Sequence, residues 1–291
     1  MGKRIVLGKI DFLNKYSKIK QPHMTKVKQK QQQENQDAID DHYKNKTRRT
    51  GITKLEWERI KEMITLTEKQ NNLYKGIRNN TLTICQGPAG TSKTFSACYA
   101  CIGLLVDKKI DRIILTKPIQ ESGENLGFLP GTVAEKTDPY MQSYFSNFKK
   151  ILGNQIFEFL KATGSIVVEP LAYMRGTTYD DAIMLLDEAQ NCTMHQLMLW
   201  ATRLGRNSKA VMMGDVSQYD IKKKDSKFLD FISIITGEYN FKEDDVADIT
   251  GYKTLLGDVY YHKFNTEDIV RNKFLIDLVN RYEKYKFQNN L

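Results

Sequence analysis

The chain has 291 residues, 41% hydrophobic and 27% charged, with a formal net charge of +9. That is enough apolar material for a core in one or two domains, and no apolar run reaches the ~18 residues a membrane-spanning helix needs. The opening MGKRIVLGKIDFLNK lacks the long apolar segment and small-residue cleavage site of a secretory signal, so a cytoplasmic protein without membrane partners is expected.

The positive charge is concentrated at one end. Residues 1–54 hold 14 Lys/Arg and 5 Asp/Glu, whereas residues 55–291 hold 30 of each sign. Residues 16–50, rich in Gln and Lys and poor in apolar residues, are expected to be disordered or loosely helical. A basic arm on a neutral body suggests an anionic partner, most naturally nucleic acid. Two domains follow: an arm over 1–54 and a folded domain over 55–291.

Beyond the arm, residues 53–78 read helical, with Leu55, Ile60 and Ile64 at helical spacings. Short apolar runs then alternate with longer amphipathic segments. TLTICQG (81–87), RIILTKP (112–118), SIVVEP (165–170), AIMLLDE (182–188) and KAVMMGD (209–215) read as buried strands. Helices are expected over 93–107, 138–161, 193–204 and 225–236, a hairpin over 246–262, and a closing helix over 266–286. The alternation implies an α/β fold with a mostly parallel sheet covered by helices on both faces. The four cysteines form no paired CxxC…CxxC set, and Cys98 and Cys101 fall inside an expected helix, so buried structural thiols are expected.

Three strand ends carry the chemistry. After the first strand comes GPAGTSKT, close to the phosphate-loop pattern G-x-x-x-x-G-K-[ST]. Alone, the eight residues are a weak signal; the strand before and the helix after them supply the context the motif needs. Gly87, Pro88, Ala89, Gly90, Thr91, Ser92, Lys93 and Thr94 are then nucleotide-binding candidates. Backbone N–H groups from Gly90 to Thr94 would face phosphates at a helix N-terminus, Lys93 would reach the β- and γ-phosphates, and the Thr94 hydroxyl would ligate Mg²⁺. The strand IMLLDEAQ ends in Asp187, a candidate for holding Mg²⁺, and Glu188, a candidate base for the attacking water. In KAVMMGDVSQYD, Gln218 can hydrogen-bond the γ-phosphate or that water.

A phosphate loop, an Asp-Glu-Ala-Gln and a Gly-Asp-x-x-Gln in this order resemble the core of superfamily 1 helicases, a branch of the RecA-like P-loop NTPases. The resemblance sharpens over ILTKPIQESGENLGFLPGTVAEKTDPYM (114–141), PLAYMRGTTYDDAIMLLDEAQN (170–191), TRLGRNSKAVMMGDVSQYD (202–220) and FNTEDIVRNKFLIDLVNRYEKY (264–285), which are similar to the PhoH-like protein family. The likeness covers roughly residues 65–285. It implies a cytoplasmic RecA-fold ATPase using ATP and Mg²⁺, with RNA-handling or helicase roles proposed and ring-shaped oligomers among its members. Relatives with a fused nuclease have a longer N-terminal region, so nuclease activity is not expected.

Carried over locally, the resemblance assigns further roles. The family loop usually has Gly where this chain has Ser92. Serine adopts helical φ/ψ without cost and can donate to phosphate; a left-handed conformation there would cost ~1–2 kcal/mol. Gln70, in LTEKQNNLYKGI, matches an adenine-reading position, since a side-chain amide donates and accepts together. Lys117 and Arg175 are nucleic-acid candidates. Arg271 and Arg203 are candidates for charge stabilisation on the transferring phosphate. With a single set of strand-tip motifs, that arginine must come from the C-terminal segment or in trans, which suggests a homo-oligomer, with a hexamer as one form. The expected function is Mg-dependent ATP hydrolysis coupled to binding of, or movement on, single-stranded RNA or DNA. The alternative is a nucleotide-gated oligomeric module with slow hydrolysis and no unwinding.

Overall fold

A computed structural model of the chain describes residues 52–118, 137–222, 224–236, 258–270 and 273–289. All lie within the unit Thr50–Leu291; the expected basic arm up to residue 50 lies outside the described residues. Ile52 is already buried and Thr53 caps the first helix, so the folded unit begins slightly before residue 55.

Six strands form one sheet: β1 (Leu82–Gln86), β2 (Arg112–Thr116), β3 (Ile166–Val168), β4 (Ala182–Leu186), β5 (Lys209–Gly214) and β6 (Val259–Lys263). Their order is β3-β2-β4-β5-β1-β6, with every neighbour parallel. The described helices are α1 (Lys54–Met63), α2 (Glu68–Asn79), α3 (Lys93–Val106), α4 (Gln142–Leu152), α5 (Asn154–Ala162), α6 (Met194–Ala201), α7 (Phe228–Thr236) and α8 (Lys273–Asn289). None is long and apolar enough to cross a membrane.

The strands read as continuous apolar runs because both faces are covered. Side chains alternate between two cores. Cys85, Ile113, Leu115, Ile183, Leu185, Val211 and Met213 meet α1 to α5 on one face. Ile84, Ile114, Met184, Leu186, Ala210 and Met212 meet α6 and α7 on the other. Since all strands run the same way, the tips of β1, β2, β4, β5 and β6 share one edge. Ligands of open α/β sheets bind outside such carboxyl ends.

Three expectations need correction. The helix over 53–78 is two helices, separated where Ile64 is extended and Thr67 starts α2 with a capping box to Gln70. Within α1 the buried side chain is Trp57, against the Tyr99 ring at 4.9 Å, whereas Leu55 is exposed. The helix over 138–161 breaks at Gly153, whose φ of 78° is readily adopted only without a β-carbon. The hairpin over 246–262 is described only at its end, where β6 pairs parallel with β1; residues 246–257 lie outside the described residues. An apolar run has the same period in either pairing, so the sequence pattern alone does not give the partner.

Candidate nucleotide site

The loop between β1 and α3 is clamped by its neighbours. Gly87 N–H donates to the Gly214 carbonyl (3.1 Å), and Phe264 N–H donates to the Gln86 carbonyl (2.8 Å), tying the loop root to the β5 and β6 tips. A β-carbon on Gly87 would lie 2.6 Å from the Phe264 Cβ, so this backbone approach requires glycine. Farther along, Val270 N–H donates to Gly90 O (3.1 Å) and the Thr91 hydroxyl to Pro88 O (2.9 Å).

Gly90 has φ 89° and Ser92 has φ 67°, ψ 31°. Serine therefore occupies the left-handed conformation, not the cost-free helical one, and the penalty of about 1–2 kcal/mol applies. Its hydroxyl makes no capping hydrogen bond to α3. The first-turn N–H groups of α3 are left facing the cleft, a ready site for anions. The Lys93 ammonium folds back onto the loop carbonyls of Gly87 (2.5 Å) and Pro88 (3.0 Å).

Beside this loop stands the β4 tip. The Thr94 hydroxyl donates to Asp187 Oδ2 (3.2 Å), and the Lys117 ammonium meets the same oxygen at 3.2 Å. Lys117 was expected to face nucleic acid; its side chain is only 11% exposed and points inward, across the Tyr144 ring. Glu188 also has a left-handed backbone, φ 58°. Burial, and next the charge of Asp187, raise its carboxyl pKa; the Gln190 amide, Lys117 and Lys93 oppose the rise.

Gln190 joins two of the motifs. Its Nε2 donates to Glu188 Oε2 (2.8 Å), and its Oε1 accepts from Asp215 N–H (2.9 Å). Asn191 does the same one step on, donating to Asp220 Oδ2 (2.6 Å) and accepting from Asp220 N–H (2.8 Å). These two amides fix the turn that carries Gln218 against the turn that carries Glu188. Asp215 is 5% exposed; Oδ1 accepts from Ser217, while Oδ2 is buried with no hydrogen-bond partner.

Lys93, Thr94, Asp187, Glu188, Asp215 and Gln218 line one cleft of about 990 Å³, together with Ala89, Gly90 and Ser92. Gln70 lines it too, 5% exposed, with its Oε1 accepting from Thr67 N–H (3.0 Å). Part of the lining stands outside the quoted motifs: Ile64 and Thr65 before α2, Phe95 on α3, and Ser143, Ser146, Asn147 and Lys150 on α4. The Lys150 ammonium sits 5.3 Å from the Phe95 ring centroid. The polar residues of α4 recur at helical spacing, the one hint the sequence offers. Asp215 and Gln190 stand inside quoted motifs, but their bracing role depends on three-dimensional proximity.

The candidate arginines do not gather here. Arg203 donates to Leu199 O, Thr177 O and Thr202 Oγ1. Its carbonyl pairs with Tyr179 N–H just before β4, at the edge where the strands begin. Within this chain it braces the edge opposite the cleft, which corrects its expected catalytic place. Arg175 is exposed, with Nη2 3.3 Å from His195 Nε2. Arg271 lies outside the described residues; Val270, just before it, lines the cleft. The four cysteines are free and buried, and burial pushes the Cys85 and Cys192 thiols up to about 12, as suits structural groups.

The residues fit a magnesium–nucleotide. Thr94 Oγ1 and Asp187 Oδ2 form a pair of hard oxygen donors opening on the cleft. Among the described residues no three His, Cys, Asp or Glu side chains gather to hold a metal unaided. Mg²⁺ is commonly held by one or two protein oxygens together with substrate phosphates, which is the donor set available here.

A parallel sheet with a glycine loop at one strand tip, a lysine and threonine opening the next helix, and acids on a neighbouring tip defines a P-loop nucleotide-binding protein of RecA-like α/β fold. Residues 62–283 match the PhoH-like protein family. A PhoH-like protein of Mycobacterium tuberculosis is 36% identical over 220 residues, 76% of this chain and 58% of that protein. One from Bacillus subtilis is 45% identical over 157 residues, 54% of this chain and 49% of that protein. The Protein PhoH of Escherichia coli is 37% identical over 158 residues, 54% of this chain and 45% of that protein. The chain belongs to the PhoH-like protein family, and it spans about half the length of the curated relatives it matches.

Proposed function

We propose that the cleft binds ATP with Mg²⁺ and hydrolyses it, and that the cycle is coupled to single-stranded RNA or DNA. The observation that carries this reading is the convergence of Lys93, Thr94, Asp187, Glu188 and Gln218 on one cleft. Mg²⁺, held by Thr94 and Asp187, would neutralise charge on the β- and γ-phosphate oxygens. Lys93, on leaving the carbonyls of Gly87 and Pro88, presents its ammonium to the same oxygens. Glu188 accepts the proton of the attacking water as its oxygen bonds the γ-phosphorus and the bond to the ADP leaving oxygen breaks. Gln218 orients that water, and Gln70 with the segment from Ile64 to Thr67 takes the base. Calorimetric titration with ATP–Mg²⁺ tests binding, and no binding at millimolar nucleotide sinks the reading. Stimulation of hydrolysis by single strands, with weaker binding after removal of residues 1–50, tests the coupling.

One feature favours the alternative of a nucleotide-gated module with slow hydrolysis. Among the described residues, the cations lining the cleft are lysines. An arginine would have to come from Arg271 or from a neighbouring subunit of a homo-oligomer. A strand-displacement assay with and without ATP, alongside light scattering with nucleotide bound, separates the two.

A further inference from the structure

The Lys117 ammonium has an unusual place for a group at the rim of a phosphate site. The register pairs Thr116 of β2 with Leu186 of β4, and Asp187 N–H donates to Thr116 O (3.2 Å), so residues 117 and 187 leave the sheet side by side. Tyr144 of α4 holds the arrangement from above. It is buried, its hydroxyl donates to Thr116 O (3.3 Å), and its ring centroid lies 5.7 Å from Lys117 Nζ. The ammonium and carboxylate are nearly sealed, with side chains 11% and 6% exposed. Lys93, the other cation nearby, is turned to the Gly87 and Pro88 carbonyls. Asp187 Oδ2 therefore has two partners: the Thr94 hydroxyl, a prospective metal ligand, and the Lys117 ammonium.

We propose that Lys117 is a built-in counter-cation for Asp187 that competes with the divalent metal for this carboxylate. The inference rests on the reading of Thr94 and Asp187 as the metal's protein ligands. A carboxylate buried next to Glu188 needs a compensating charge whenever nucleotide is away. Lys117 supplies it, and thereby disfavours binding of a bare metal ion. A metal arriving with a triphosphate brings its own anionic ligands and overcomes the competition, so metal and nucleotide enter together. Lys117 is on this account a positioning residue acting through Asp187, and not an external contact for nucleic acid.

The test uses the nucleotide-free chain, with Mn²⁺ as the metal probe followed by its electron-spin signal. Lys117→Met should bind Mn²⁺ at least tenfold more tightly than the parent chain, while Lys117→Arg should stay within about twofold of it. Thermal unfolding supplies the second readout. Lys117→Met should melt several degrees lower than the parent in EDTA and recover most of that loss in millimolar Mg²⁺, and Asp187→Asn added to it should abolish the Mg²⁺ response. Should Lys117→Met fold poorly, Lys117→Gln carries the same expectation for Mn²⁺. Equal or weaker Mn²⁺ binding by Lys117→Met, with Asp187→Asn still lowering binding of Mn²⁺–ADP, overturns the competition and leaves the site reading intact. If Asp187→Asn and Thr94→Val leave Mn²⁺–ADP binding unchanged, the metal assignment itself falls, and the proposal with it.

Discussion

Helices α1, α2 and α6 begin differently from α3. Each of the three starts at a threonine, Thr53, Thr67 or Thr193, whose hydroxyl accepts from the N–H three residues on, while Glu56, Gln70 or Gln196 returns a bond to the threonine N–H. These are capping boxes, and they satisfy donors that a helix start leaves unpaired. Helix α3 starts at Ser92 in a left-handed conformation with no side-chain cap, although serine is among the best capping residues. The chain thus follows the local rule at α1, α2 and α6, even though Thr67 and Gln70 line the cleft, and departs from it at the one start among these four that carries the phosphate-loop Lys93 and Thr94. Such departures are expected at functional sites, and Glu188, left-handed on the facing turn, is a second one.

The largest effect expected from disturbing the cleft side of this comparison is on turnover. Glu188→Gln should retain ATP–Mg²⁺ binding and lower single-turnover hydrolysis ~10²–10⁴-fold, the usual contribution of a positioned base. Its effect on stability should have the opposite sign. The Glu188 pKa is raised, so keeping it ionised in the folded chain is costly, and that stability is lost as pH rises through the raised value. Removing the charge should therefore raise the melting temperature of the nucleotide-free chain at neutral pH. A lower one would contradict the buried, charge-crowded setting given to Glu188. Lys93→Ala comes next. A charge-assisted hydrogen bond contributes ~1.5–3 kcal/mol, so nucleotide affinity should fall ~10–150-fold in calorimetry.

What could be read from the sequence divides along the same line. The phosphate loop, the Asp-Glu pair and Gln218 were legible because each is a short run joined to a strand end, and parallel strands bring such ends to one edge. Lys117 was legible as a cation at a strand tip, but its inward turn depends on the β2–β4 register, which no local pattern encodes. Arg203 stands close in sequence to the third motif and yet at the other edge, because β5 lies between them and carries the chain from the edge where the strands begin to the tip before Gln218. The polar residues of α4 line the cleft through the way that helix packs on α3. The capping boxes at Thr53, Thr67 and Thr193 are local patterns of side chains three residues apart, and the one at Thr67 divides the segment over 53–78 into two helices.

His262 offers an effect of intermediate size on the β6 side of the phosphate loop. It is 4% exposed, its ring meets Phe264 edge-on at 4.6 Å, and Phe264 in turn packs on Gly87. Burial first, and then Lys69, lower its pKa to about 4, with Asp268 opposing. A depressed histidine contributes stability that is complete above its unfolded value near 6.5 and is lost as pH falls toward 4. The loss should approach ~3 kcal/mol by linkage. Denaturant unfolding at pH 7 and pH 4.5 measures it, and His262→Phe should flatten that difference. An equal pH dependence in the variant would remove His262 from this role.

The smallest effects give the comparison its most discriminating test, since they set two helix starts against each other. Thr193→Ala removes a cap from α6, away from the cleft, and should cost ~1 kcal/mol of stability with nucleotide affinity unchanged. Ser92→Gly acts in the reverse direction. It relieves a β-carbon at φ 67° and removes a hydroxyl that makes no capping bond to α3. Relief of the left-handed strain is worth ~1–2 kcal/mol, but glycine also loses more backbone entropy on folding, so a net gain of ~0.5–1 kcal/mol is expected. Nucleotide affinity then shows what the serine is for. If the hydroxyl adds nothing to phosphate binding, Ser92→Gly should bind ATP–Mg²⁺ at least as tightly as the parent chain. A gain in stability paired with a loss of affinity would mean that the strain is kept for a hydrogen bond from Ser92 to the phosphate, which the nucleotide-free loop leaves unmade.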